Sequence, residues 1–227
     1  MTAFVLVHGA YQGGWIWGPV ARRLRAEGHD AYAPSLDGCG ERSEQDRPGI
    51  TVESQADEIA ELLFYEDLRD VVLVGTSSGG MVAARTAELA RDRIARLVFV
   101  DALVLKHGET SADVLQRPRT PATATGRPTA EHLARLLAGL PAETAAWAGE
   151  RFRGRPIGTV TQPVVLESFW DQEWDVSVIW CQRAQNPGEA HQRRTEEAFG
   201  ARWHELDTGH YPMLSEPDAL TQLILKG

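Results

Sequence analysis

The chain reads as an α/β protein, with about six strands in a mainly parallel sheet, helices on both faces and a helical lid inserted late in the sequence. Three features predict it. Short apolar runs alternate with helical patterns, as in repeated strand–helix units around a buried sheet. The runs have strand rather than helix length, and turn-forming or charged residues bound them. The alternation then fails between Leu103 and Trp174, where about seventy residues contain no convincing strand, so one segment stands apart as an insertion.

Phe4–Val7 is the first strand, followed by the helical stretch Pro19–Glu27 and the second strand, Asp30–Ala33. Val52–Leu63 and Gly80–Ala90 carry apolar residues at three- and four-residue spacing, and Val71–Val74 lies between them as the third strand. Leu97–Val100, Val176–Trp180 and Trp203–Leu206 complete the sheet, and Asp218–Leu225 is the last helix. Residues 1–103 and 174–227 are thus one core, and 104–173 a lid. The lid opens on the Pro/Thr/Ala/Arg stretch Arg117–Thr129, which favours extended and turn backbone, and continues in two helices, Ala130–Leu140 and Ala142–Phe152. Trp147, Phe152, Phe169, Trp170 and Trp174 gather aromatic surface in or beside it, either to line an apolar pocket or to cement the lid.

Composition excludes several classes of partner. The 23 Lys+Arg against 32 Asp+Glu in 227 residues leave a net charge of −9, the wrong sign for a surface that neutralises phosphates, so neither nucleic acid nor an anionic membrane is expected. Cys39 and Cys181 are the only cysteines, with no zinc-site spacing, so no metal and no disulfide framework is expected and a reducing cytoplasm fits. Neither a basic leader region nor a long apolar stretch points to secretion or membrane spanning.

The strongest chemical signal is Gly75-Thr76-Ser77-Ser78-Gly79, a G-x-S-x-G pattern between an apolar strand and a helix rich in small residues. That context is a sharp strand-to-helix turn holding a serine hydroxyl out at the sheet's end. The stretch lacks the lysine that a phosphate loop would use. A serine hydroxyl is a weak nucleophile until a base takes its proton. Of the seven histidines, His210 suits that role: it follows the last strand in a turn-rich loop, late in the chain as the order Ser, acid, His requires. The third member must accept the other ring N–H. Asp101 is the preferred acid, because a carboxylate directly after the apolar run Leu97–Val100 is costly without a partner; Glu189 and Asp207 are the alternatives. The tetrahedral oxyanion needs preorganised N–H donors, expected from Ser78 and from Ala10 in the loop His8-Gly9-Ala10-Tyr11-Gln12-Gly13-Gly14-Trp15. That loop lacks full G-x-G-x-x-G spacing, so a nicotinamide cofactor, or any cofactor, is not expected. Tyr11, Trp15, Trp147, Trp170 and Tyr211 are the candidate substrate contacts.

Phe4–Ala10 with Trp15 and Trp17, Gly75–Gly80, Leu97–Ala102 and Gly209-His210 with Met213 together resemble the α/β-hydrolase superfamily, over nearly the whole chain outside the insertion. Within it the chain is similar to small serine esterases and lactonases related to plant methyl-salicylate esterases and hydroxynitrile lyases. The resemblance implies an α/β-hydrolase fold, with Ser77 as nucleophile, His210 as base, and Ala10 and Ser78 as oxyanion donors. Three departures stand out. The plant enzymes place the acid after the strand matching Val176–Trp180, where this chain has Cys181-Gln-Arg-Ala-Gln185; related lactone hydrolases place it where Asp101 stands. The lyases carry Lys after the catalytic His, here Tyr211, and Thr in the first-strand loop, here Ala10 or Tyr11. Thr76 replaces a common His, and Ser78 a usually larger residue.

The expectation is a cofactor-independent serine hydrolase cleaving an ester or lactone with an apolar or aromatic part through an acyl-enzyme. The alternatives are a ligand-binding or signalling member with little turnover, a lyase or isomerase using His210 as base, and a thioesterase or acyl-transfer enzyme. Relatives of this kind often form homodimers, which the exposed helices would allow.

Overall fold

The computed structural model describes residues 1–115, 126–185 and 187–226. The predicted strands form one six-stranded parallel sheet: β1 (Ala3–Val7), β2 (Asp30–Tyr32), β3 (Val71–Thr76), β4 (Ile94–Val100), β5 (Val176–Cys181) and β6 (Arg202–Leu206), in the order β2-β1-β3-β4-β5-β6. Strand β3 is buried at every position because both its faces are covered, which is why it reads as a continuous apolar run rather than an alternation. The side chains separate by the period of two. Val5, Val7, Leu73 and Phe99 face one layer; Phe4, Leu6, Val72, Val74 and Val98 face the other.

On the first layer lie α2 (Val52–Tyr65), α3 (Gly79–Leu89) and the polar helix around His191, α8 (Glu189–Phe199); on the second, α1 (Gly18–Ala26) packs against α10 (Pro217–Lys226). Helix α2 starts at a capping box in which Thr51 and Ser54 satisfy each other's backbone N–H. Helix α8 ends where Gly200 turns left-handed, at φ 58°.

Among the described residues, 104–173 hold four short α-helices: α4 (Ser111–Val114), α5 (Ala130–Leu136), α6 (Ala142–Gly149) and α7 (Gly158–Thr161); α9 (Pro212–Ser215) follows β6. Both α5 and α6 are shorter than their sequence patterns. Gly139 takes φ 89° ahead of Pro141 and closes off α5, and α6 stops at a glycine. Much of the predicted extended stretch Arg117–Thr129 lies outside the described residues. The segment divides by layer. Val104, Leu105, Val164, Leu166 and Phe169 join the core on the α2/α3 side, whereas Leu137, Ala148 and Phe152 pack over the other side, near the ends of β1 and β6.

The strand order reverses between β1 and β3, so the loops leaving their carboxyl ends diverge and open a crevice. In open α/β sheets ligands bind at such a switch point. Among the described residues no helix is long and apolar enough to cross a membrane.

Candidate active site

Ser77 follows β3 at φ 51°, a left-handed conformation that costs a non-glycine residue free energy and persists only where the surroundings enforce it. They do so through its carbonyl, which accepts the Gly80 N–H at 3.1 Å and the Leu103 N–H at 2.8 Å. The crowding explains the flanking glycines. A Cβ on Gly79 would stand 2.5 Å from the His8 carbonyl oxygen, and one on Gly9 would stand 2.6 Å from the Ser77 Cβ. Gly9 therefore brings the loop after β1 directly against the serine.

That loop is held from both ends. The buried His8 ring donates from Nδ1 to the Gly9 carbonyl at 2.8 Å, and its Nε2 accepts the Leu36 N–H at 3.0 Å. Burial lowers its pKa to about 4, so the ring is a neutral strut. Gln12, which the sequence did not single out, accepts the Gly9 N–H on Oε1 at 3.0 Å, and its side chain also faces the Tyr211 hydroxyl. Tyr11 turns to φ 66°, and its carbonyl accepts the Arg153 N–H at 3.0 Å. Ala10 and Ser78 meet on the wall of one small cavity, and neither backbone N–H donates to a described residue. Two such N–H groups beside a serine can receive a developing oxyanion.

His210 stands in the loop between β6 and α9. Its Nδ1 is hydrogen-bonded to Asp101 Oδ2, while its side chain stays 17% exposed and that of Asp101 is fully buried. Asp101 follows β4, whose Val100 pairs with Thr76, so the carboxylate leaves the sheet beside Ser77. It sits at φ 44° and its N–H donates to the Ile179 carbonyl at 2.9 Å. Burial pushes its pKa up, opposed by the His210 ring and by the facing Cys181 N–H; Oδ1 has no hydrogen-bond partner among the described residues. The alternative acids point elsewhere: Asp207 pairs with Arg183 at 2.8 Å and Glu189 with Arg193 at 3.3 Å, both near the surface. No hydrogen bond joins Ser77 Oγ to His210 among the described residues; such contacts commonly tighten only around substrate.

Aromatic rings lead from this histidine to α6. Ring centroids are 5.2 Å apart for His210 and Tyr211, 6.0 Å for Tyr211 and Phe152, 5.7 Å for Phe152 and Trp15, and 5.4 Å for Trp15 and Trp147. Tyr11 meets His132 of α5 edge-on at 5.8 Å. Trp170 is not part of this group, contrary to the expectation from sequence. It stacks on Phe199 at 5.1 Å, donates from Nε1 to the Leu105 carbonyl at 2.9 Å, and lines an open groove of about 980 Å³ with Lys106, His107 and Arg194. The reason is the division of the insertion, whose second end runs along the α2/α3 layer.

Three of the remaining histidines have other partners. His191 accepts the Val104 N–H at 3.1 Å and is lowered to about 4 by burial, His107 accepts from Leu166, and His29 from Thr2. No group of three His, Cys, Asp or Glu side chains among the described residues could hold a metal ion.

With this geometry in place, a model of the Alpha/beta hydrolase family matches residues 4–223. The chain is 37% identical over 121 residues to the carbendazim-hydrolyzing esterase of Nocardioides sp. (strain SG-4G), covering 53% of this chain and 50% of that one. It is 32% identical over 115 residues to an alpha-hydroxynitrile lyase of Arabidopsis thaliana, covering 50% and 45%. The chain thus spans about half the length of the curated relatives it matches. Among solved structures, an extracellular alpha/beta-hydrolase from a Paenibacillus species superposes with a TM-score of 0.86 at 23% identity, covering 100% of this chain and 98% of that one. A pyrethroid hydrolase from Sphingobium faniae JZ-2 gives 0.77 at 21%, covering 99% and 96%. At such identities the two superpositions establish a common fold.

Proposed function

This chain belongs to the alpha/beta hydrolase family, and from that premise we propose that it is a cofactor-independent serine hydrolase of carboxylic esters or lactones with an apolar or aromatic part. The observation that carries this is the convergence, at one strand switch, of a strained Ser77, the backbone N–H groups of Ala10 and Ser78 on one cavity wall beside it, and a histidine braced by a buried carboxylate.

The substrate carbonyl would lie over Ser77 with its oxygen toward the Ala10 and Ser78 N–H groups. His210 takes the serine proton as Oγ attacks, and Asp101 holds the ring so that Nδ1 is the protonated nitrogen and Nε2 the acceptor. Charge developing on the carbonyl oxygen meets donors that need no reorganisation, each worth a factor of about 10²–10³ in rate. His210 then gives its proton to the leaving oxygen, and a water, deprotonated by the same ring, releases the acyl group. The aromatic wall of Tyr11, Trp15, Trp147 and Tyr211 suits a planar apolar moiety in the ester.

The test is turnover of a panel of aryl and alkyl esters and aromatic lactones by the wild type and by Ser77→Ala, with mass spectrometry of the quenched protein. Burst release of the alcohol and an acyl adduct on Ser77, both absent in Ser77→Ala, are expected. A second reading follows from the lyase relative, in which His210 acts as base on a carbon acid and Ser77 only hydrogen-bonds. Tyr211 in the place of the lyases' lysine speaks against it, and trapping the adduct would exclude it for the trapped substrate.

A further inference from the structure

Helix α8 turns polar side chains inward: its buried residues are Gln192 and Thr195, where a helix covering a sheet ordinarily presents an apolar stripe. A carboxamide only 1% exposed costs free energy unless it is hydrogen-bonded, so the partner of Gln192 is informative. That partner is the backbone of the segment that follows Asp101. Gln192 Nε2 donates to the Ala102 carbonyl at 3.1 Å. Two residues on, His191 Nε2 accepts the Val104 N–H at 3.1 Å, and Arg194, itself paired with Glu109, donates to the Val104 carbonyl at 2.7 Å.

The peptide unit that accepts from Gln192 donates on its other side to the nucleophile. The Ala102 carbonyl and the Leu103 N–H belong to one planar peptide and point in opposite directions. The Leu103 N–H donates to the Ser77 carbonyl at 2.8 Å, one of the two bonds that hold Ser77 at φ 51°. A hydrogen bond to the carbonyl end of such a unit polarises it and strengthens its N–H as a donor. Asp101 directly precedes this unit and is tied to β5 through its own N–H, on the Ile179 carbonyl at 2.9 Å. A Cβ on Gly80 would stand 2.7 Å from the Leu103 carbonyl oxygen, so α3 packs closely against the same stretch of backbone. Any rotation of the Ala102–Leu103 peptide therefore disturbs the nucleophile and the acid together.

We propose that Gln192 is a positioning residue: by fixing the Ala102–Leu103 peptide it holds the strained Ser77 backbone, and Asp101 beside it, in the geometry His210 requires. This role rests on Ser77 being the nucleophile. Gln192 touches none of the reacting groups and acts through two hydrogen bonds in series, from its amide to the peptide and from the peptide to Ser77.

The experiment measures kcat/KM for para-nitrophenyl acetate in the wild type, Gln192→Met and Gln192→Asn, with Ser77→Ala as background. Active sites are counted by complete labelling with a fluorophosphonate, so that unfolded protein does not enter the rate per site. The rate per site is expected to fall by about 10- to 100-fold in Gln192→Met, which keeps the length and loses the donor, and by about 10-fold in Gln192→Asn, whose amide stops one methylene short. Inhibition by phenylboronic acid, whose tetrahedral adduct needs Ser77 in place, should weaken in parallel. A purely structural role would lower the thermal midpoint and leave both per-site values unchanged. Either variant, once folded, overturns the role of Gln192 if its kcat/KM per site stays within about twofold of wild type, and the hydrolase reading then still stands. Wild-type turnover no higher than the Ser77→Ala background, with no labelling of Ser77, overturns both.

Discussion

Asp101→Asn separates orientation of the base from everything else in the site. The side chain is fully buried, its Oδ2 accepts from His210 Nδ1, and Oδ1 has no hydrogen-bond partner among the described residues. An asparagine there has two arrangements. With its carbonyl toward His210 the ring keeps the reactive tautomer, but an NH₂ is left in the place of Oδ1 without an acceptor, at a cost of about 1–3 kcal/mol. With the NH₂ toward His210, the ring must accept on Nδ1 and carry its proton on Nε2, where it cannot take one from Ser77. Both arrangements also lose the negative charge that stabilises the imidazolium formed during attack. The expected result is a kcat about 10³–10⁴ below wild type, equivalent to about 4–5.5 kcal/mol of barrier, with KM changed by a few fold. The assay is steady-state hydrolysis of an aryl ester, with the thermal midpoint measured in parallel. Activity within about tenfold of wild type would refute the assignment of Asp101 and direct the same test to Asp207→Asn and Glu189→Gln.

Burial lowers both His8 and His191 to about 4 from an unfolded value near 6.5, so the unfolded chain binds more protons between those limits. Stability is therefore full above about pH 6.5 and falls as pH drops towards 4, by about 3 kcal/mol for each ring, and His8→Asn should remove about one proton from the slope of urea-unfolding free energy against pH. Gly9→Ala forces a methyl to within 2.6 Å of the Ser77 Cβ, so ester turnover should drop about 100-fold for a displacement of an ångström, while circular dichroism shows the fold retained. Trp147 is 38% exposed and Phe152 fully buried, both touching Trp15. Trp147→Ala should raise KM for aryl esters with a stability change of about 1 kcal/mol or less, whereas Phe152→Ala should cost about 3–5 kcal/mol by denaturant melt.

The legible part of this protein is the part written in local patterns. A strand covered on both faces reads as a continuous apolar run, so Val71–Val74 declares itself without reference to its neighbours. The turn at Ser77 demands glycines at fixed offsets because backbone passes within van der Waals contact there, and that demand is visible as G-x-S-x-G. Asp101 and His210, 109 residues apart, are candidates from their places after strands; their pairing is a property of the sheet order, which puts the ends of β4 and β6 on one edge with β5 between them.

What the tertiary structure alone decided concerns the insertion and the side chains it touches. Nothing local distinguishes Trp147, which faces Trp15, from Trp170, which packs on Phe199 in the opposite layer. Gln12 and Arg155 are ordinary loop residues by sequence, and one becomes a brace for Gly9 and the other the wall of a cavity because distant segments close around them. Periodicity and turn chemistry report what a residue's own backbone requires; which surfaces meet across the crevice depends on the sum of many weak contacts between segments far apart in the chain, and no short window of sequence carries that sum.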